Sequence, residues 1–579
     1  MTVAQLTLPT AQVSYDAPIE AELERLVELF ALQPTLAAAY PLRWLAVQIF
    51  EGDEGLLAEV TAAGGPSLSA EITASMQRLQ ARYGEDLDIT LVDQRYRFVH
   101  ALAGKVLTRP GSVHDLTMSD RVDKVLTNRF LGVPFFFAMM WLVFKLTTDV
   151  AGPFVDWVDG VINGPISNWV IGLLGVLGLA GTWVESLLVG AVLAGVGGVL
   201  VFVPVLFALY FALAVLEDSG YMARAAFVMD RFMHRLGLHG KSFLPMIVGF
   251  GCTVPAIYAT RTLDSPRDRL LTGLLVPFMS CSARLPVYVL VATIFFPAQA
   301  GLVIFGLYLT GVVMAIVIGM LLQKTLFRNQ PPSPFVLELP PYRIPAWRTV
   351  WVQMWSRTAS FVQKAWTIIF ATSIVIWLLL AIPVRGAGQF AQAEMDQSAF
   401  ALLARGVSPI FAPLGFGNWQ SSGALTTGFV AKEVVVTTML QTYHLDGGEA
   451  EGAVPTTFIE DVTGIFTSFG TAVVDALKVI PQMVGLNLGA AEDEEEFVPE
   501  GLATAIQANF AASSGGHAGL AALAFLVFVL LYTPCMVATA AARHEFGPRW
   551  IWVSIVGQFG VAWLAALIVF QGGRLLGLG

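Results

Sequence analysis

The sequence predicts an all-α, polytopic membrane protein with a soluble helical domain near its N-terminus. Of its 579 residues, 56% are hydrophobic and only 13% are charged, whereas about a quarter of the residues in a usual globular protein are charged. Several apolar runs also approach or exceed the roughly 20 residues that an α-helix needs to cross a bilayer. The net charge of −10 bears on solubility and ion attraction, and it does not indicate a nucleic-acid partner.

The N-terminal region has the pattern of amphipathic helices. From Ile19 to Phe30 the apolar residues recur on one helical stripe, and no stretch before residue 107 is long enough to span a bilayer. We expect an unstructured N-terminus over residues 1–18, without a cleavable signal peptide because no apolar run follows a basic start. A helical domain is expected over residues 19–115.

A first membrane half is predicted over residues 120–322. Three basic residues precede the apolar run 130–146, which by the positive-inside rule places the helical domain in the cytoplasm: Arg121, Lys124 and Arg129. Residues 156–169 are interpreted as a surface segment outside the membrane, and 187–215 as a broken helix because it contains several glycines and a proline. Residues 301–322 form a plain apolar span.

Apolar segments interrupted by Gly and Pro lie between Gly240 and Tyr288. They include GFGCTVPAI and PFMSCSARLPVY, which hold two of the three cysteines. Glycine and proline break the helical ladder, and broken backbone is tolerated inside a bilayer only where protein or water covers it. These segments are therefore expected to line a path across the membrane, with Gly240 at a loop that enters it.

The second half repeats this order. A cytoplasmic loop with six basic residues is expected over 323–364, and a second gate repeat over 365–440, in which a span precedes a broken segment. An acidic and mixed connecting region is expected over 441–518, and C-terminal transmembrane helices over 519–579. The two halves thus predict two gate-type repeats, interpreted as inverted.

Few side chains in the apolar regions could replace the water shell of a metal ion. A lone cysteine is more often a packed small hydrophobe, but all three cysteines lie where helices break. The Glu217–Asp218 pair is either an ion-attracting mouth or an ordinary pair at the membrane boundary. Met222 is a weaker candidate, because methionine is often packing filler. The predicted ion-path residues are Cys252, Cys281, Cys535, Glu217, Asp218, Met222 and Glu433.

A second set of residues is predicted to form the gate or the pore wall. Lys432 is expected to compete with the ion or to lock the gate, because charges inside membranes are rarely incidental. The other members are small or helix-breaking residues: Gly249, Gly251, Pro255, Ser280 and Ser282. Five histidines without ligand spacing are interpreted as loop residues, namely His234, His239, His444, His517 and His544.

Several motifs resemble the membrane region of the bacterial ferrous iron transporter family FeoB. They are LEDSGYMARAAFVMDR, GFGCTVPAIYATRTL, RDRLL, PFMSCSARLPVY, GFVAKEVVV and LYTPCMVATAAAR. RWLAVQIFEGDEGLL and DQRYRFVHALAGKVL resemble the helical domain that joins the FeoB GTPase domain to its membrane part. The resemblance runs from about Ala17 to the C-terminus and implies Fe²⁺ transport across the bacterial inner membrane.

The chain departs from the family where a GTPase domain would precede the helical domain. It has no G-x-x-x-x-G-K-[ST] motif, since the nearest match, Gly240-Lys241-Ser242, has Arg235 in place of the first glycine. We expect no GTPase activity, and no GTP binding except through a separate G protein. The alternatives are that the chain works without a G protein or lacks its N-terminal part.

The resemblance also implies partners. They are a separate GTPase, a small FeoA-type protein, membrane lipid and a possible second copy of the chain, with Fe²⁺ as substrate and no permanently bound cofactor. Thr253 stands where the family commonly has Asn, which leaves Mn²⁺ or another divalent metal as an alternative substrate. A membrane scaffold or sensor for a G protein is a further alternative. An enzyme is least favoured, because no Ser-His-Asp or HExxH constellation is present.

Overall fold

The computed structural model describes residues 13–83, 87–106, 118–128, 130–235, 238, 240–263, 265–328, 339–384, 390–391, 394–443, 458–482 and 500–577. The chain divides into two compact units, Met1–Asp115 and Leu116–Gly579. Within the described ranges all regular elements are helices, and the only β-type pairing is an isolated bridge between Pro383 and Ser398. The predicted all-α class is confirmed.

The described residues of the N-terminal unit form five helices, and their apolar stripes form its core. On the first helix, Ile19, Leu23, Leu26 and Phe30 are completely buried, which confirms the amphipathic pattern. The structure begins at Val13, and helix already starts at Ala17, within the segment predicted to be unstructured. The helices are α1 (Ala17–Ala31), α2 (Pro34–Ala39), α3 (Leu42–Phe50), α4 (Glu54–Tyr83, kinked at Gly65) and α5 (Leu87–Val106).

The second unit begins with long helical rods. Short π-helical turns connect α7 to α9 and α10 to α11, so Gly132–Val176 and Trp183–Asp218 are nearly continuous. A straight helix of 45 residues would be about 68 Å long, which exceeds the roughly 30 Å bilayer core. These helices are α6 (Met118–Leu126), α7 (Gly132–Lys145), α8 (Gly152–Val161), α9 (Ser167–Val176), α10 (Trp183–Leu187), α11 (Ala194–Val201), α12 (Val203–Asp218) and α13 (Tyr221–Arg235).

The segment 156–169, predicted to lie on the surface, belongs to the first rod. Trp157 donates its indole N–H to the Ile465 carbonyl at 3.1 Å, and Trp169 donates to Asp461 at 2.8 Å. Both indoles thus contact a helix of the second half. The position of the segment 156–169 outside the membrane stays a prediction.

The breaks predicted between Gly240 and Tyr288 are present, but the chain enters them differently. Helix begins at Gly240 itself, so the predicted entry loop is wrong. A Cβ at this glycine would lie 2.2 Å from the Ala226 carbonyl oxygen, so glycine allows α14 to start against α13. The helices of this region are α14 (Gly240–Gly251), α15 (Thr253–Ala259), α16 (Pro266–Leu275), α17 (Leu285–Phe295) and α18 (Ala300–Thr325).

The second half contains two elements that the sequence did not reveal. They are α23, which is apolar enough to span a membrane, and α24, both in the described part of the connecting region expected over 441–518. The helices are α19 (Trp347–Ala381), α20 (Ala399–Phe411), α21 (Trp419–Val430), α22 (Val434–Thr442), α23 (Phe458–Gln482), α24 (Glu500–Ser514), α25 (Ala518–Leu531), α26 (Met536–Phe546) and α27 (Pro548–Leu575).

Basic residues of the predicted loop 323–364, such as Arg348 and Arg357, lie in the first half of α19. Two histidines interpreted as loop residues are also helical, His234 in α13 and His544 in α26. His517 directly precedes α25, and His239 and His444 lie outside the described residues, as does the acidic run 492–496.

Eight helical segments of the described chain are long and apolar enough to cross a membrane. The core of this unit surrounds α25, on which every residue from Ala524 to Leu531 is buried. In contrast, α18 and α27 expose much of their apolar surface, as expected of helices that face lipid. The unit therefore has an apolar rim around a protein-covered centre.

Candidate functional site

Four helix breaks meet at one cavity inside the second unit. They lie between α14 and α15 at Cys252, before α17 at Cys281, between α21 and α22 at Ala431–Glu433, and between α25 and α26 at Tyr532–Cys535. All three cysteines, together with Lys432 and Glu433, line this cavity, whose volume is about 100 Å³. Residues far apart in the sequence are thus brought together.

The backbone at each cysteine is extended and a helix follows it. Cys252 has φ −152° and ψ 133°, Cys281 has −77° and 159°, and Cys535 has −57° and 159°. Each cysteine directly precedes the first residue of a helical segment, where unpaired N–H groups favour negative charge. The three thiols are free. The site therefore presents each sulfur beside backbone N–H groups that favour negative charge.

Hydrogen bonds tie the breaks to one another. Ser282 donates its hydroxyl to the Gly251 carbonyl at 3.0 Å, which joins the second break to the first. The buried guanidinium of Arg284 donates to the carbonyls of Pro277 and Met279 at 3.3 Å and of Tyr532 at 3.5 Å. Arg284 thereby joins the second break to the fourth, and satisfies carbonyls that the interrupted helices leave free.

Lys432 places an amine in the wall of the cavity. Its side chain is 1% exposed, and its ammonium nitrogen lies 2.8 Å from the centre of the Tyr532 ring. No hydrogen-bond acceptor contacts this nitrogen within the described part of the chain. The ring quadrupole attracts an amine over the aromatic face when the amine is protonated, so the Tyr532 ring provides a place for the Lys432 amine at the wall.

The potential ligands are near one another but do not form a closed metal site. Among the described residues, no group of three His, Cys, Asp or Glu side chains is close enough to hold one ion. Glu433 lies one residue before α22 and lines the same cavity as the three cysteines. Binding of an ion by several of these groups would therefore require the breaks to move toward each other.

The other predicted ion-path residues lie elsewhere. Glu217 and Met222, together with the predicted wall residue Pro255, line a second cavity of about 430 Å³, which we call the vestibule. Glu217 forms an ion pair with Arg357 at 2.9 Å. Asp218 accepts the Ala346 backbone N–H at 2.7 Å, which supports the start of α19.

Two residues border both cavities, Val254 and Phe361. The cysteine cavity and the vestibule are distinct and adjoin at these side chains. Phe361 lies on α19, within the stretch 323–364 that was expected to be a cytoplasmic loop, so the sequence did not mark it as part of a site. Both side chains are apolar, and we call this shared lining the apolar barrier.

Of the other predicted wall residues, Gly251 and Ser282 line the cysteine cavity, whereas Gly249 and Ser280 have packing contacts. A Cβ at Gly249 would lie 3.2 Å from Met279, and one at Gly251 would lie 3.0 Å from Leu209, so both glycines allow close helix packing. The Ser280 hydroxyl shares a hydrogen bond of 3.0 Å with Tyr288. Neither Arg284 nor Tyr532 was predicted to belong to the site. A lone arginine within the apolar stretch 277–295 was a signal that could have found the first.

A polytopic helical bundle in which broken helices converge on an inner cavity defines a membrane transport protein. Three family descriptions match the chain: "FeoB cytosolic helical domain" over residues 15–108, "Nucleoside recognition" (Gate) over 199–295 and 362–549, and "Ferrous iron transport protein B C terminus" over 304–357. The chain belongs to the FeoB family, which confirms the resemblance of its motifs.

Relatives from several bacteria agree with this assignment. A "Fe(2+) transport protein A/Fe(2+) transporter FeoB fusion protein" of Porphyromonas gingivalis is 34% identical over 97% of this chain and 65% of its own length. "Fe(2+) transporter FeoB" of Staphylococcus aureus strain MSSA476 is 33% identical over 98% and 75%. The protein of the same name from Legionella pneumophila strain Lens is 36% identical over 89% and 67%. The chain thus spans about two thirds to three quarters of these relatives. No solved structure matches it significantly.

Proposed function

We propose that this chain is the pore-forming part of a transporter that moves Fe²⁺ across the bacterial inner membrane. One observation carries the proposal: three free cysteines and Glu433, on four separate helix breaks, line one cavity in the membrane unit. Fe²⁺ accepts thiolate and carboxylate ligands. The names of the relatives, which include "Fe(2+) transporter FeoB", support the choice of metal.

The cavity is a transient binding site in this proposal. A hydrated cation loses part of its water shell only where ligands replace it, and Cys252, Cys281, Cys535 and Glu433 would do so in turn as the breaks approach each other. The absence of a closed ligand set among the described residues fits a site that must release its ion. Tight coordination would hold the metal rather than pass it on.

Lys432 controls occupancy of the cavity. Its ammonium group and an entering Fe²⁺ repel each other, and the ring of Tyr532 holds the amine at the wall. The cavity therefore carries its own cation when empty of metal. Displacement of Lys432, or its screening by ionised ligands, is needed before Fe²⁺ can stay.

The ion then passes the apolar barrier at Val254 and Phe361 and reaches the vestibule with Glu217, Asp218 and Met222 nearby. Control of this step comes from the N-terminal helical domain, which lies in the cytoplasm because basic residues such as Arg121 and Lys124 precede the first span. A separate GTPase supplies GTP-dependent control. A small FeoA-type protein and a second copy of the chain are further partners.

Uptake of metal into liposomes tests the proposal. The purified full chain is reconstituted and supplied with Fe²⁺ under reducing conditions, alone and with a cognate G protein and GTP. We expect Fe²⁺ entry that falls at least tenfold in Cys252→Ser. Thr310→Ala is the matched control, because this α18 hydroxyl bonds its own helix, at the Gly306 carbonyl 2.7 Å away, and lines neither cavity. No metal entry under any condition would refute transport by this chain.

A second substrate, Mn²⁺, is favoured by one residue. Thr253 lines the cysteine cavity, is 3% exposed, and its hydroxyl has no hydrogen-bond partner within the described residues. An unpaired hydroxyl is a hard oxygen donor of the kind that Mn²⁺ prefers. Parallel uptake of Mn²⁺ by the wild type and by Thr253→Val decides: loss of Mn²⁺ entry with Fe²⁺ entry retained would assign the hydroxyl to Mn²⁺, and equal effects on both metals would not.

A further inference from the structure

Three chain segments meet at the guanidinium group of Arg224. Arg224 belongs to α13, just after the turn that follows α12, and its side chain donates to both carboxylate oxygens of Asp123 on α6, at 3.0 and 3.1 Å. The same guanidinium donates to the carbonyls of Gly220, at 3.0 Å, and Pro340. We call this arrangement the Arg224 junction.

The loop before α19 covers the guanidinium. The Tyr342 ring lies over it, 4.1 Å from centroid to Cζ, and the Tyr342 hydroxyl donates to Asp123 at 2.9 Å. Two backbone contacts hold this loop on either side: the Tyr342 N–H donates to the Ser119 hydroxyl at 3.2 Å, and the Arg343 N–H donates to the Ser219 carbonyl at 3.4 Å. The loop is therefore bound to α6 and to the α12–α13 turn at once.

The contacts are stronger than those of an exposed ion pair. Arg224 is 1% exposed, and a buried charge is retained only where a partner and further hydrogen bonds replace water. The side-chain hydrogen bond from Arg224 holds the pKa of Asp123 below its ordinary value. Burial, and then the hydrogen bond to Asp123, raises the pKa of Tyr342 to about 12. Near neutral pH the junction is thus an ion pair capped by a neutral phenol.

The segments joined here continue into the walls of both cavities. From the α12–α13 turn, α12 runs back to Leu206 and Leu209 at the cysteine cavity, while the loop leads through Ala346 into α19, which carries Phe361. Rings also connect these two helices, since Phe211 stacks on Trp347 with centroids 6.1 Å apart. In sequence, α6 is the first described helix after the N-terminal unit. A displacement of α6 would therefore act on both walls together.

We infer that Arg224 is a positioning residue for transport, which holds α12 and α19 at the separation that keeps the apolar barrier of Val254 and Phe361 closed until α6 moves. In the structure, in which the two cavities are distinct, the Arg224 guanidinium contacts all of these acceptors. The intact junction therefore belongs to the arrangement in which the barrier is closed. The inference rests on the proposed function only in naming transport. The barrier itself is tested without iron.

The test measures how fast a small charged methanethiosulfonate reagent labels Cys252 in the full chain in detergent, with the site identified by peptide mass spectrometry. Asp123→Asn removes the ion pair, and Arg224→Lys keeps the charge but loses the two-pronged contact with the carboxylate. We expect both variants to be labelled at least ten times faster than the wild type. Tyr342→Phe, which loses only one hydrogen bond, should show a smaller increase.

The matched control is Lys124→Gln, which removes an exposed charge from the same helix, and its labelling rate should stay within twofold of the wild type. A melting temperature is recorded for each variant, so that faster labelling caused by unfolding can be told apart from release of the barrier. Should Asp123→Asn fail to fold, Tyr342→Phe and Arg224→Lys decide the matter. Folded variants with unchanged labelling would overturn the inference.

Iron flux provides a second and separate readout. Release of the barrier should raise the maximal Fe²⁺ rate of Tyr342→Phe several-fold while the half-saturating concentration stays constant, because the ligands in the cysteine cavity are untouched. A purely structural role would change neither quantity. Faster thiol labelling of the variants, together with no iron flux in the wild type, would support the junction and refute the transport proposal. The two proposals can therefore fail independently.

Discussion

The ammonium nitrogen of Lys432 lies 2.8 Å from the centre of the Tyr532 ring, inside the cavity that the three cysteines line. The two residues come from different helix breaks, one after α21 and one after α25. The pair thus joins two interrupted helices and also places an amine where a metal is proposed to bind. Charge within the cavity is the property that this pair controls.

Replacement of Lys432 by Met tests this control. The substitution keeps most of the length and the apolar stem of the side chain and removes the charge, so Fe²⁺ no longer meets a competing cation. We expect the half-saturating Fe²⁺ concentration in liposome uptake to fall about tenfold, which corresponds to about 1.4 kcal/mol of binding free energy. Lys432→Arg is the control that keeps a positive charge. Loss of uptake in Lys432→Met would show instead that the amine is required for passage.

The sequence predicted the residues of the cavity better than their neighbours in space. Cys252, Cys281 and Cys535 were identified because each lies beside helix-breaking residues, and that pattern is local. The separation of Glu217 and Met222 from the cysteines could not be predicted, since it depends on how α12 and α13 pack against α19. Contacts of that kind are set by long-range packing, which periodicity does not encode.

The missed elements have a physical reason as well. α23 contains both acidic and apolar residues and sits in a region of high overall charge, so its apolar face was not distinguished from a solvated loop. The break between α25 and α26 at Tyr532-Thr-Pro-Cys, in contrast, was expected at Cys535, because proline interrupts the helical hydrogen bonds. The lone charge of Arg284 in an apolar stretch was a signal, but its partners are backbone carbonyls, so the sequence did not show which breaks it joins.

Gly311 is predicted to be essential for packing of α18. A Cβ at this position would lie 2.7 Å from the Phe278 carbonyl oxygen, a backbone atom that cannot rotate away. We expect Gly311→Ala to destabilise the protein by about 1–3 kcal/mol, as overpacking does. A Cβ at Gly306, on the same helix, would meet no atom of another element within 4 Å in the described part of the chain.

The two glycines form a matched pair. Gly306→Ala should leave the melting temperature unchanged or raise it, because alanine is favoured over glycine in a helix interior by up to about 1 kcal/mol. Thermal unfolding in detergent, followed by intrinsic fluorescence, measures both variants. Equal melting temperatures for Gly311→Ala and Gly306→Ala would contradict the close contact between α18 and the second break.

Glu20 should make the N-terminal unit sensitive to acid. Both of its carboxylate oxygens accept from Arg43 at 2.7 Å, and this hydrogen-bonded pair holds the pKa of Glu20 below its ordinary value of 4.5. A lowered pKa in the folded state stabilises the fold at pH values above 4.5, and this stabilisation is lost as the pH falls through the folded-state pKa. Stability should therefore decline below about pH 4.5.

The measurement is the helical content of the full chain between pH 7 and pH 3, monitored during thermal unfolding. Glu20→Gln should lower the melting temperature of the N-terminal unit at pH 7 and flatten its dependence on pH. Glu24→Gln is the control, since this carboxylate is exposed on the same helix. An identical pH profile for both variants would mean that the Arg43 pair does not contribute to stability.

Arg284 is predicted to stabilise the convergence of the helix breaks rather than to bind the ion. Its guanidinium reaches carbonyls on two breaks. The single ammonium group of a lysine, which is not a planar fork, cannot contact Pro277, Met279 and Tyr532 together. Loss of one or two of these bonds in a buried site costs about 1–3 kcal/mol each.

Arg284→Lys should thus lower the melting temperature markedly, whereas Arg549→Lys, at an exposed position, should not. Since the charge is kept, the half-saturating Fe²⁺ concentration of the folded fraction should change less than twofold. A large change in that concentration without loss of stability would assign Arg284 to the ion path instead.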